Sequence, residues 1–328
     1  MLVDTFGRVA TDLRVSLTDR CNLRCSYCMP PEGLDWLPSP DLLTDDEVVR
    51  LVAVAVGLGV REVRFTGGEP LLRKGIVDIV QRVTSLEPRP QVSLTTNGIG
   101  LARIADALKA AGLDRVNVSL DTLDRDRFVE LAKRDRLADV IAGLEAAAAA
   151  GLAPVKVNAL LMRGVNDDEA SVLLRWCLAR GYELRFIEHM PLDAQHAWDR
   201  SSMVTGEEIL ALLRNDFDLK AEPESARGSA PAQTWLVDGG PGSVGVIGSV
   251  TQPFCGACDR VRLTADGQVR NCLFATDETD LRSALRSGAD DDELGRLLAG
   301  SLLAKKAGHG IDDPLFLQPV RPMSAIGG

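Results

Sequence analysis

The stretch Leu13-Arg14-Val15-Ser16-Leu17-Thr18-Asp19-Arg20-Cys21-Asn22-Leu23-Arg24-Cys25-Ser26-Tyr27-Cys28 decides the fold. Its opening residues alternate apolar and polar side chains, the period of a half-buried strand. The remainder is irregular and carries Cys21, Cys25 and Cys28 at x3 and x2 spacing, which puts them in a loop at the strand's C-terminal end. In β-α folds that is the end on which sites are built. Three thiolates so spaced can reach three irons of a four-iron cluster and leave the fourth open. An open position is what a catalytic metal requires. A zinc site completed by a fourth ligand is the alternative, although none of His189, His196 and His309 lies near in sequence.

Working outward, strands near 62–65, 91–94, 115–120, 155–161 and 183–187 alternate with apolar-periodic helices near 45–58, 71–86, 101–111, 136–150 and 167–180. Thr44 and Glu47 have capping-box spacing, and Gly112 and Gly151 sit where helices stop. Such β-α units with short links predict a parallel sheet, either open or closed into a barrel. After Pro191 the alternation ends. A helix near 206–215, a Gly/Pro/Ser-rich stretch over 222–248, a second cysteine group and helices near 278–287 and 290–303 complete the chain. The expected division is 1–205 and 206–328.

With 328 residues, 45% of them apolar, the chain can bury a large core. No apolar run approaches about 18 residues and the N-terminus lacks a leader pattern, so the expectation is a cytoplasmic protein without a membrane span. A net charge of −10 argues against a nucleic-acid binder but leaves room for a local basic pocket. The seven cysteines fall as three, one and three, poor arithmetic for disulfides and good arithmetic for metal ligands. The single one, Cys177, lies mid-helix and is expected in the core.

The strand ends carry polar groups. Thr66-Gly67-Gly68-Glu69-Pro70 offers a glycine pair that lets backbone approach a ligand, though ordinary turns use such pairs too. Thr95-Thr96-Asn97-Gly98, Ser119-Leu120-Asp121, Lys156-Val157-Asn158 and Glu188-His189-Met190 close other strands, and together they predict a pocket rim. Cys255-Gly256-Ala257-Cys258 with Cys272 forms a second thiolate triad, for which a zinc knuckle is the alternative. Between them Arg260 and Arg262, two apart in a strand, share a face and can grip phosphates bidentately.

The first triad, with Tyr27 before its third cysteine, resembles the signature of the radical S-adenosylmethionine superfamily. Pro253-Phe254-Cys255-Gly256-Ala257-Cys258-Asp259-Arg260-Val261-Arg262-Leu263-Thr264, ending at Asn271-Cys272-Leu273-Phe274, resembles the C-terminal motif of the GTP 3′,8-cyclase family. The likeness runs from Phe6-Gly7-Arg8 through Arg185-Phe186-Ile187-Glu188 to Gly327-Gly328. Asp259 stands where the family usually has Asn, and Lys305-Lys306-Ala307-Gly308-His309-Gly310 is looser than its pattern.

The resemblance implies an α/β fold, an incomplete (β/α)6 TIM-like barrel with a C-terminal domain carrying a second cluster. It implies two [4Fe-4S] clusters, held by Cys21, Cys25 and Cys28 and by Cys255, Cys258 and Cys272. Tyr27, Gly68, Ser119 and Met190 would contact S-adenosyl-L-methionine. Arg14, Arg64, Thr95, Lys156, Arg260, Val261 and Arg262 would hold GTP, with Arg260, Arg262, Gly327 and Gly328 catalytic. The implied reaction is radical cyclisation of GTP to 3′,8-cyclo-7,8-dihydro-GTP, the first step of molybdenum cofactor synthesis. Implied partners are a reductant protein, a second copy in a homodimer, and a cyclic pyranopterin monophosphate synthase that receives the product. Two rivals stand beside this reading. One is a radical enzyme acting on a peptide or another phosphorylated substrate; the other is a non-catalytic zinc or electron-carrier protein.

Overall fold

The computed structural model describes residues 1–327, apart from the side chain of Glu224; Gly328 lies outside the described residues. Strands β1 (Asp12–Ser16), β2 (Glu62–Thr66), β3 (Gln91–Thr96), β4 (Arg115–Ser119), β5 (Val155–Leu160) and β6 (Glu183–Ile187) pair in parallel in chain order. Buried parallel strands usually read as continuous apolar runs. Here they alternate. Val63, Phe65, Val92, Leu94, Val116, Val118, Leu184 and Phe186 are fully buried in the hydrophobic core. The residues between them, Arg64, Ser93, Asn117 and Arg185, form the polar inner face.

Later strands are β7 (Leu219–Ala221), β8 (Gln233–Val237), β9 (Ser243–Ile247), β10 (Arg260–Leu263), β11 (Gln268–Arg270) and β12 (Thr279–Asp280). The sheet order is β12-β11-β10-β1-β2-β3-β4-β5-β6-β9-β8-β7. The barrel is therefore incomplete, as expected, but the C-terminal residues do not build a separate sheet. β10 adds in parallel to β1 and β9 adds in parallel to β6. An unclosed barrel leaves two rows of unpaired backbone groups, and these strands cover both.

Helices Asp45–Gly57, Ile76–Thr84, Ala105–Ala110, Leu137–Ala149 and Ala170–Leu178 pack against the strands. The capping box of Thr44 and Glu47 is made in full. Three helices are shorter than their periodicity suggests, because 3-10 turns at Pro70–Leu72, Leu101–Arg103 and Asp167–Glu169 take their first residues. Helix Arg125–Ala132 is not foreshadowed by apolar periodicity: its apolar stripe is thin, and only Phe128, Leu131 and Ala132 are buried. Cys177 is fully buried in the core. Among the described residues no helix is long and apolar enough to cross a membrane.

Glu188, at the end of β6, anchors the turns at Gly206 and at Val250-Thr251 and lines neither cavity. Its buried carboxylate accepts from the backbone N–H groups of Gly206 (2.7 Å), Val250 (2.8 Å) and Thr251 (2.9 Å), and from the Thr251 hydroxyl. Replacing Glu188 by Ala leaves the buried N–H groups of Gly206 and Val250 unsatisfied. The expected loss is about 3 kcal/mol or more, measured by urea unfolding of metal-free protein. A loss below about 1 kcal/mol, the worth of one ordinary hydrogen bond, would contradict the anchoring role.

Candidate active site

The cysteine loop leaves β1 and folds against the turn that leaves β2. Gly68 N–H donates to the Thr18 carbonyl and Glu69 N–H to the Arg20 carbonyl, both at 2.7 Å. A Cβ on Gly67 would strike the Thr18 carbonyl, and one on Gly68 would strike those of Asp19 and Arg20. The glycine pair thus makes room first for the cysteine loop itself, where its sequence suggests room for a ligand. The Glu69 carboxylate accepts from Leu71 N–H (2.9 Å), Asn97 N–H (2.7 Å) and the Thr96 hydroxyl (2.7 Å). Burial pushes its pKa up to about 7. Asn97 in turn donates to Asn22 at 2.7 Å and to Cys21 Sγ at 3.8 Å. Strand ends and loop are one hydrogen-bonded unit.

Burial pushes the Cys25 thiol well up and that of Cys28 up to about 12, with the Ser324 backbone N–H opposing the rise at Cys28. Thiols in that state need a cation to ionise, and a bound metal would supply one. Tyr27 donates to Asp121 at 2.6 Å, and burial raises that carboxyl to about 6. The His189 ring lies edge-on to Tyr27 and Trp198, with both nitrogens buried and unpartnered.

Cys255 opens a short 3-10 turn, Cys258 caps its end, and Cys272 comes after β11. At Cys258 burial alone would raise the pKa, but Arg260, Lys305 and Arg262 together lower it. His309, remote in sequence from any cysteine, comes to line the same cavity, with its Nε2 unpartnered.

A cavity of about 300 Å³ is lined by Cys28 at one end and by Cys255, Cys258 and Cys272 at the other. Arg14, Arg64, Arg185, Arg260 and Arg262 line it as well. A second cavity of about 180 Å³ is lined by Cys21, Cys25, Cys28, Gly67, Gly68 and Asn97. Tyr27, Cys28, Thr95, Ser119, Asp121 and Met323 border both. The strand register sets Arg262, Arg14 and Arg64 side by side across β10, β1 and β2. Like charges directly opposite one another destabilise a sheet. The crowding weakens their hold on protons: burial, and then Arg14 and Arg260, bring Arg262 down to about 9. Burial, and then Arg14, pull Arg64 well below its ordinary value. Asp12, 3.8 Å from Arg14, offsets only part of this crowd. The array is short of negative charge, the condition for a polyanion site.

The C-terminal end enters this region. Helix Met323–Ile326 is held by Met323 N–H donating to the Leu192 carbonyl at 2.9 Å, and Ile326 is buried. Gly327 has φ +89°, and its carbonyl accepts from Arg262 Nη1. A Cβ there would strike Thr66 Oγ1. Gly328, the other terminal glycine named from the sequence, lies outside the described residues.

Of the residues named from sequence, Tyr27, Ser119, Met190, Arg14, Arg64, Thr95, Arg260 and Arg262 line the larger cavity, and Gly68 the smaller. Three line neither cavity: Lys156, Val261 and Gly327, the last reached only through its contact with Arg262. Lys156 sits at the opposite end of β5 from the loops, where its Nζ pairs with Glu183 of β6 at 2.8 Å. Val261 points the other way along β10 and is fully buried in the core. Arg185, Asn158, Asn271 and Phe274 also line the cavity, although their motifs assign them no particular ligand. Strand parity is a signal for Arg185, which alternates with buried Leu184 and Phe186.

Comparison with known proteins agrees with this geometry. Residues 15–177 match the Radical SAM superfamily, and residues 182–311 match Molybdenum Cofactor Synthesis C. A GTP 3′,8-cyclase of Streptomyces coelicolor is 70% identical over 329 residues, covering 100% of this chain and 96% of that protein. GTP 3′,8-cyclase 2 of Mycobacterium tuberculosis is 60% identical over 332 residues, covering 100% of this chain and 92% of that protein. The crystal structure of Streptococcus suis SuiB bound to S-adenosylmethionine superposes with a TM-score of 0.60 at 14% identity, covering 89% of this chain and 68% of that one. That likeness is one of fold. The thiol-only triads, the arginine row and the full-length identity agree, and the chain belongs to the GTP 3′,8-cyclase family of radical S-adenosylmethionine enzymes.

Proposed function

We propose that the chain cyclises GTP to (8S)-3′,8-cyclo-7,8-dihydroguanosine 5′-triphosphate, the first step of molybdenum cofactor synthesis. The observation that carries this reading is one cavity lined by thiols of both triads and by five arginines. Cys21, Cys25 and Cys28 would hold the first [4Fe-4S] cluster, and Cys255, Cys258 and Cys272 the second. The first cluster, when loaded, supplies the electron that cleaves S-adenosylmethionine to methionine and a 5′-deoxyadenosyl radical.

Gly68, Ser119, Tyr27 and Met190 would seat S-adenosylmethionine, with Ser119 and Tyr27 where the two cavities meet. Arg14, Arg64, Arg260 and Arg262 would neutralise the triphosphate of GTP, and Thr95 would help to orient it. Fixing the 3′ hydrogen beside the radical source and C8 beside C3′ is the protein's main contribution, because an unoriented radical reacts elsewhere. Arg260, Arg262, Gly327 and Gly328 would be catalytic, Arg262 with the Gly327 carbonyl that it engages. Residues 1–205 would thus serve radical initiation, and 206–328 the second cluster and the nucleotide.

The same proposal puts the chain in the cytoplasm, draws its electron from a reductant protein and passes product to a cyclic pyranopterin monophosphate synthase. Exposed Leu315, Leu317 and Val320 offer apolar surface for a homodimer. Anaerobic turnover with GTP, S-adenosylmethionine and a strong reductant should give 5′-deoxyadenosine and cyclised nucleotide in equal amounts. Consumption of S-adenosylmethionine with GTP untouched would contradict the substrate assignment.

A further inference from the structure

Lys305 lies just beyond helix Asp291–Leu303 and is buried, 5% exposed. Its Nζ donates to the Arg260 carbonyl at 2.8 Å, the Cys258 carbonyl at 3.3 Å and Cys258 Sγ at 3.6 Å. Those acceptors are two carbonyls and a thiol, none of them a carboxylate. A buried ammonium is costly unless an opposite charge stands beside it. Nearby Arg8 is in a different position: its Nε pairs with Asp4 at 2.5 Å. Its remaining donors reach the carbonyls of Cys255 (2.7 Å), Ala307 (2.9 Å) and Lys306 (2.6 Å). Arg8 therefore clamps the segment after Lys305 onto the second triad with its own charge already balanced, while the charge of Lys305 is left for the thiolate.

The first triad has no such neighbour. Cys21 Sγ accepts from the neutral Leu23 N–H at 3.5 Å and from the Asn97 amide at 3.8 Å. Arg24, in the same loop, turns Nη1 to the carbonyls of Cys21 and Leu23, each at 2.8 Å, and its guanidinium lies over the Trp36 ring. Hydrogen bonds to sulfur and local net charge are among the factors that set a cluster's reduction potential. A cation stabilises the reduced, more negative state.

We propose that Lys305 is a positioning residue of the second cluster: its ammonium donates to the Cys258 thiolate and holds that cluster's reduction potential above that of the first. This rests on the reading that Cys255, Cys258 and Cys272 hold a four-iron cluster.

The test uses the full chain, loaded anaerobically, as wild type, Lys305→Met and Lys305→Arg. Iron is counted, and both potentials are followed by EPR-monitored redox titration. The first cluster, identified by its signal change on adding S-adenosylmethionine, is the internal reference. Lys305→Met keeps the aliphatic stem and removes the charge. It should move the second potential negative by at least about 60 mV, a decade in the one-electron equilibrium, and leave the first unmoved. Lys305→Arg should restore most of the shift. Loss of the second set of irons in Lys305→Met but not in Lys305→Arg would also support the charge role. Full iron with unmoved potentials in Lys305→Met would overturn it, as would equal loss of iron in both variants, which marks a packing role. Wild type with only about four irons would instead overturn the underlying cluster assignment.

Discussion

Deletion of Gly327 and Gly328 is expected to abolish cyclisation while iron content and reductive cleavage of S-adenosylmethionine persist. The anchor of the C-terminal end lies before the deletion: Met323 N–H binds the Leu192 carbonyl, and Ile326 is buried with Leu192 and Phe274. Cluster thiols and core are therefore untouched. The deletion removes the carbonyl that engages Arg262 beside the strand ends. A displacement of about 1 Å in such an array can cost about 10²-fold in rate. Gly327→Ala should reproduce most of the loss, because φ +89° suits glycine and a Cβ would strike Thr66 Oγ1. The readouts are cyclised nucleotide, 5′-deoxyadenosine and iron per chain. A truncated protein that loses iron would point to a structural tail, and one that cyclises normally would remove the tail from the site.

Arg262→Met should lower kcat/KM for GTP by about 10²–10³-fold, the usual cost of removing one preorganised charge from a transition-state site. It should also raise the thermal midpoint of the metal-free protein at pH 7.5. Arg262 is buried with Arg14 and Arg64 on the flanking strands, and its folded pKa falls from 12.5 to about 9. Between those values the unfolded chain binds more protons, so stability rises with pH there. Below about 9 both states are charged and the folded state bears the full penalty, which methionine removes. Opposite signs for stability and turnover are the mark of a binding charge. A fall in both would show that Arg262 serves the fold.

Much of this is legible in sequence because its causes are local. The strands announce themselves by period, and the cysteine loop by irregular sequence after a strand. Cys177 is legible from its helix. The arginine row is only half visible. Parity puts Arg260 and Arg262 on one face, but the pairing of β10 with β1 brings together distant parts of the chain, and nothing local states that register. Lys156 departs from expectation for a related reason. It lies at the far end of β5, and its partner Glu183 comes from the next strand by register. Val261 stands between two cavity arginines, yet alternation sends its side chain into the core. The glycine pair belongs to the expected loop, but its first duty is to the backbone of the cysteine segment. Lys305 and His309 sit in a loosely patterned stretch, and only folding reveals that they stand beside the second triad.

In this mechanism the first triad serves a radical aimed at the ribose of a nucleotide held beside the second. GTP deuterated at C3′ is the deciding substrate, in anaerobic turnover with S-adenosylmethionine and a strong reductant. Deuterium should move from C3′ into 5′-deoxyadenosine in step with cyclisation. Unlabelled 5′-deoxyadenosine, with deuterium still at C3′ of the nucleotide, would contradict the mechanism.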